Sequence, residues 1–133
     1  MTDPVIQIRF DGNGRAHHPG EILAGEFRID GIDANEIRSV EISVLWFTEG
    51  KGEEDLSVHD FWRLSADDGD VIDPRQPSRF STVLPNSPLS YRGVVFQLHW
   101  CVRVRVFTTH GREIVGEMPF RLGDVRAAKP VTT

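Results

Sequence analysis

The 133-residue sequence contains one cysteine, Cys101, one tyrosine and two methionines. A lone cysteine excludes an internal disulfide, and cysteine-poor composition fits a reducing compartment. Basic residues are also in the minority: 15 Lys and Arg stand against 20 Asp and Glu, a net charge of −5. That balance argues against a nucleic-acid binder, whose affinity rests largely on basic surface. Long apolar runs are missing as well. The most apolar stretch, Val94 to Val106, is broken by Gln97, His99, Arg103 and Arg105, whereas a spanning helix needs about 20 mostly apolar residues. The opening Met1-Thr2-Asp3-Pro4 has no basic segment leading into an apolar one, so no secretory signal is expected. Cytoplasmic location without membrane insertion is the resulting expectation. No cofactor is implied by any motif. The length suits one domain, taken as residues 1–125 with a flexible tail at 126–133.

What the sequence does have is a period of two, the mark of half-buried strands. Val94, Phe96, Leu98, Trp100, Val102, Val104 and Val106 share one phase. A helix would instead repeat at three and four. The run is longer than a common strand, so it predicts a bend, a bulge, or one strand serving two neighbours in turn. Ile6-x-Ile8-x-Phe10, Leu23-x-Gly25-x-Phe27-x-Ile29, Val40-x-Ile42-x-Val44-x-Trp46, Phe80-x-Thr82-x-Leu84 and Ile114-x-Gly116-x-Met118-x-Phe120 repeat the pattern. Pro19-Gly20, Asp30-Gly31, Gly50-Lys51-Gly52, Asp68-Gly69 and His110-Gly111 separate them as turns. Ser57–Leu64 reads two ways. Val58, Phe61 and Trp62 sit at helical spacing, with Ser57 and Asp60 as a capping pair, while Val58, Asp60, Trp62 and Leu64 alternate as a strand. A strand suits the rest of the chain. Seven or eight strands with short turns predict an all-β, immunoglobulin-like antiparallel β-sandwich.

Two stretches bear a resemblance when taken in order. One is His18-Pro19-Gly20-Glu21-Ile22-Leu23-Ala24-Gly25-Glu26. The other runs Phe80-Ser81-Thr82-Val83-Leu84-Pro85, then Pro88-Leu89-Ser90-Tyr91, then Leu98-His99-Trp100-Cys101-Val102-Arg103-Val104. Together they resemble the N-terminal domain of arrestin-like proteins, over roughly Val5 to Leu122. The resemblance implies a sandwich acting as a binding or adaptor module. Arrestins pair two such domains, and this length fits one. No phosphate-sensing residue of that family can be matched here.

Catalytic and metal candidates are few. Cys101 and His99 lie two apart on one strand face, the spacing of a thiol activated by an imidazole. No orienting acid accompanies them, and a mid-strand site suits a buried thiol better. His17-His18 point to opposite faces of an extended chain, poor geometry for one ion. Asp67, Asp68, Asp70 and Asp73 resemble a calcium loop in composition but not in EF-hand spacing. Trp46, Trp62 and Trp100 read as core, with Trp62 the one that would suit a sugar platform. Neither a catalytic nor a metal residue is assigned.

The leading expectation is a non-catalytic, single-domain adaptor that binds another protein, through a sheet edge or through end loops. The partner-facing candidates are the acidic loops, with Glu49, Glu53, Glu54 and Asp55 in one and Asp67, Asp68 and Asp70 in the other, and the arginine pair Arg103 and Arg105. The same arginines would otherwise pair with Glu41 or Glu117 across strands. Self-association is a secondary expectation. The alternatives are a sandwich that binds carbohydrate or calcium and, further off, a cysteine-dependent enzyme.

Overall fold

The computed structural model describes residues 3–12, 14–52, 54–123 and 125–126. Residues 127–133, most of the expected tail, lie outside the described residues, as does the loop candidate Glu53.

Among the described residues ten strands follow one another: β1 (Val5–Phe10), β2 (Ala16–His17), β3 (Ile22–Asp30), β4 (Ile37–Gly50), β5 (Leu56–Ser65), β6 (Ser78–Val83), β7 (Tyr91–Arg92), β8 (Phe96–Thr108), β9 (Glu113–Leu122) and β10 (Val125–Arg126). The short 3₁₀ turns Ala34–Glu36 and Ala66–Asp68 interrupt them. A small antiparallel sheet has the order β1-β3-β6. A large sheet runs β10-β7-β8-β4-β5, and β9 also pairs with β8 and carries β2. The two sheets face each other as the predicted sandwich. Alternation places Leu23, Phe27 and Phe80 of the small sheet against Val40, Val44, Val102 and Val104 of the large one, all buried. Trp100 is 1% exposed, and its indole N–H donates to the Pro88 carbonyl at 2.8 Å. That bond satisfies the only polar atom of a large core ring and ties the Pro-containing crossing loop to β8.

The turn at Pro19-Gly20 has the expected form. Gly20 has φ +83°, and the Glu21 N–H donates to the His18 carbonyl at 3.1 Å. Pro fixes the first central φ and Gly supplies the positive one, the requirements of a type II turn. Gly25 marks a close approach rather than a bulge. Its ladder to β1 is unbroken, and a methyl group there would sit 2.8 Å from Phe80 Cζ and against the Arg9 carbonyl.

Two details of the strand reading are corrected. The long strand starts at Phe96, so Val94 stands fully exposed and Phe96 is partly exposed, stacked on Tyr91 instead of entering the core. The segment Ser57–Leu64 is strand β5, but Val58 does not share a face with Asp60, Trp62 and Leu64. The register shifts between Val44/Asp60 and Leu45/Val58, leaving His59 as an extra residue. This bulge turns Val58 and Phe61, three apart, to the same side. The apparent helical spacing in the sequence is a bulged strand.

β8 does serve two neighbours in turn. Gln97 and Leu98 pair with β7, and Trp100 to Phe107 pair with β9. His99 sits at the changeover.

Candidate functional site

The solvent side of the large sheet is where this molecule departs from ordinary alternation. An antiparallel sheet with one wet face normally shows polar residues there. Here the ladder sets Val58, Leu45, Cys101 and Pro119 in one row across β5, β4, β8 and β9, with Leu56, Phe47 and His99 in the next. Phe61 stands opposite Ser43 on the other side. Leu45 is 1% and Cys101 3% exposed, yet neither belongs to the core between the sheets. Leu56, Val58 and Phe61 each remain about half exposed, and β5, among the described residues, pairs only with β4. The result is an apolar surface beside a sheet edge.

The edge is not bare. Asp60, on the inward side, accepts the Thr82 hydroxyl at 2.8 Å, and His59 Nε2 lies 2.8 Å from the Val83 carbonyl. Both link β5 to β6 across the sandwich. The bulge and the inward carboxylate are devices that discourage indiscriminate edge pairing.

The sequence-predicted residues fall into separate places. Arg103 and Arg105 are on the outer face and in ion pairs: Arg103 Nε donates to Glu117 at 3.0 Å, and Arg105 Nε to Glu113 at 2.7 Å. Glu41 stands 3.8 Å from Arg105 and 3.9 Å from Arg63. These are cross-strand partners holding the sheet together. Glu49, at the end of β4, reaches His99 at 3.4 Å. Glu54 and Asp55 are exposed in the β4–β5 hairpin, whose base is closed by Asp55 N–H donating to Thr48 Oγ1. The second acidic loop lies at the far end of β5, and its carboxylates take different partners. Asp67 faces Arg38 at 3.5 Å, Asp70 accepts the Ser65 N–H, and Asp73 holds Arg75. Asp68 is exposed. Among the described residues no three His, Cys, Asp or Glu side chains stand together as a metal site.

Cys101 and His99 share the outer face as the spacing requires. Burial, with a smaller contribution from Glu117, pushes the thiol up to about 11, only partly countered by Arg103. A thiol so held is the neutral, unreactive form at physiological pH. Trp62 packs its ring against the core instead of presenting a flat platform.

The sequence assigns no surface role to Leu56, Val58 and Phe61, because only the bulge and the pairing partner reveal which side they face. The same holds for Arg15, Arg92 and Arg121. They come from three distant segments and line one cleft of about 450 Å³ beside His99.

No helix among the described residues is long and apolar enough to cross a membrane. No protein-family model matches the chain, and no curated protein matches it. Among solved structures it is similar to Spo0M, a sporulation control protein from Bacillus subtilis, with a TM-score of 0.65 and 14% identity. The match covers 92% of this chain and 50% of that one, so the chain spans half the length of that protein. At this identity the likeness is one of fold: an arrestin-like β-sandwich.

Proposed function

We propose that this domain is a non-catalytic binding module of the adaptor type, and that a partner protein docks on the outer face of the large sheet at its β5 edge. The observation that carries this reading is the apolar composition of that face. Leu56, Val58 and Phe61 are presented to solvent together, with Leu45, Phe47 and Cys101 behind them. A contiguous apolar patch on a folded domain is costly unless something covers it. The arrestin-like fold supports the adaptor role. The β4–β5 hairpin, with Glu49, Glu54 and Asp55, flanks the patch and would rim the interface. Asp67, Asp68 and Asp70 lie at the other end of β5 and form a second, more distant rim.

A photo-crosslinking residue placed at Phe61 in the intact chain, in its native cells, tests this. The expected result is a discrete heterologous adduct that the same residue at Arg28, exposed on the opposite sheet, does not give. Absence of a Phe61-specific adduct overturns the reading. An adduct of twice the chain's mass replaces the foreign partner with a second copy.

A further inference from the structure

We infer that this chain pairs with a second copy of itself through the β7–β8 turn and the two oppositely charged flanks beside it. The contact lies at one end of the large sheet and leaves the Val58 and Phe61 face free.

The turn breaks a local rule. The Gly93 N–H donates to the Phe96 carbonyl at 3.0 Å and closes a four-residue turn with Val94 and Val95 at its centre. Such positions normally carry Gly, Pro, Asn, Asp or Ser. Two β-branched apolar residues do nothing for the turn, yet Val94 is 99% and Val95 65% exposed. Phe96, stacked on Tyr91 with ring centroids 4.9 Å apart, gives them a firm base. The Lys51 N–H donates to the Val95 carbonyl at 3.3 Å and sets the β4–β5 hairpin alongside. An apolar tip that its neighbours hold in place but do not need fits a contact with another surface.

The charges around the tip identify its occupant. β7 and β9 share one edge of β8, and β4 followed by β5 takes the other. On the first side stand Arg92 and Arg15, both exposed and without an ion pair among the described residues. Arg121, in the same cleft, is already engaged. On the second side stand Glu49, Glu54 and Asp55, with the cation Lys51 among them. Glu49 meets His99 at 3.4 Å, and Glu117, in the groove beyond, is taken by Arg103. Neighbouring strands lie ~4.8 Å apart, which holds the two flanks roughly 10–15 Å from each other across β8. A partner of one sign meets repulsion on one flank. A second copy does not. A twofold axis through the tips, perpendicular to the sheet, sets its acids over these arginines and its arginines over these acids, with Val94 and Val95 of both copies between. The interface is small, so the pairing is weak and depends on concentration.

Sedimentation equilibrium of the full chain tests this at about 0.1 M salt, where facing charges interact but the net charge of −5 is largely screened. The mass should climb from 15.0 kDa towards twice that value as the concentration approaches about 0.5 mM. V94D/V95D should weaken association about tenfold or more, and so should R15E/R92E and E54R/D55R, each taken alone. The first charge pair makes the chain more acidic and the second less, so loss in both excludes an effect of net charge. The quadruple variant R15E/R92E/E54R/D55R exchanges the two flanks and should return to within about fourfold of the wild type. All six positions are exposed, and thermal unfolding checks that each variant keeps its fold. A wild-type chain that stays monomeric overturns the inference. So does association that survives V94D/V95D, or a quadruple variant no better than its halves. Association abolished by V58K/F61K also overturns it, by moving the second copy to the outer face of the large sheet.

Discussion

Cys101 shows how a residue's surroundings decide its chemistry. Its spacing from His99 fits a nucleophile, but its burial at 3% exposure favours the neutral thiol. In the native state at pH 8, labelling by a thiol reagent should be slow, rising to the free-cysteine rate only in denaturant. Fast native labelling would contradict the buried placement. The sign of the pH linkage follows. The folded value is raised from 9.0 to about 11, so stability tied to this group is complete below pH 9 and is lost as the pH climbs through that window. A C101A variant should have a flatter alkaline limb in a plot of Tm against pH. Glycine at 116 is a second residue-scale constraint. A methyl group there would lie 2.7 Å from Ile6 Cβ, where β1 crosses β9. Gly116→Ala should cost about 1–3 kcal/mol, measured by urea unfolding, because the neighbouring side chain must move.

At the scale of elements, β5 depends on its ties to β6 as well as on its ladder to β4. The Thr82 hydroxyl, buried at 6% exposure, donates to Asp60. Thr82→Val keeps the shape but strips the carboxylate of that donor, an expected loss of about 1–3 kcal/mol. Hydrogen exchange should locate the loosening in β5, with β8 protection unchanged. The charged pairs work differently. On the outer face of the large sheet Arg105 lowers the titration of Glu113 through their hydrogen bond, and beside the small sheet Arg79 does the same for Asp11. Each carboxylate therefore contributes stability that is present above its usual value, 4.5 for Glu113 and 3.8 for Asp11, and is lost as the pH falls below it. Arg105→Gln should reduce the acid-side slope of Tm against pH between neutral pH and pH 3. An unchanged slope would show that the pair adds nothing measurable, as many exposed pairs do.

For the molecule as a whole, one core between two sheets implies one cooperative transition. Leu23, on the small sheet, is fully buried against that core. Leu23→Ala should lower stability by about 2–5 kcal/mol, and circular dichroism and the fluorescence of Trp46, Trp62 and Trp100, all on the large sheet, should report the same midpoint. Separate midpoints would mean that the sheets unfold independently. The outer face belongs to this scale too, since its apolar rows are assembled from four strands. A V58K/F61K double variant should leave that transition within about 0.5 kcal/mol, as exposed positions do, while raising the concentration at which the chain begins to aggregate.

The sequence alone determined the layers. Strict alternation at Leu23, Phe27, Val40, Val44, Val102 and Val104 fixed their inward face, because side chains on a strand alternate and only one face can be buried between two sheets. It also carried the Pro19-Gly20 turn, and the length of the β8 run left its double service as one of the open alternatives to a bend or a bulge; β4 follows β8 from Phe96 to Thr108, and it is the other edge that two strands share. Tertiary structure decided the rest. Whether Val58 and Phe61 face solvent depends on a one-residue bulge at His59, which local alternation does not encode. The pairing of Arg103 and Arg105 with acids, and the convergence of Arg15, Arg92 and Arg121 on one cleft, depend on which strand lies beside which. Surface chemistry is a property of neighbours across the sheet, and those neighbours come from distant parts of the chain.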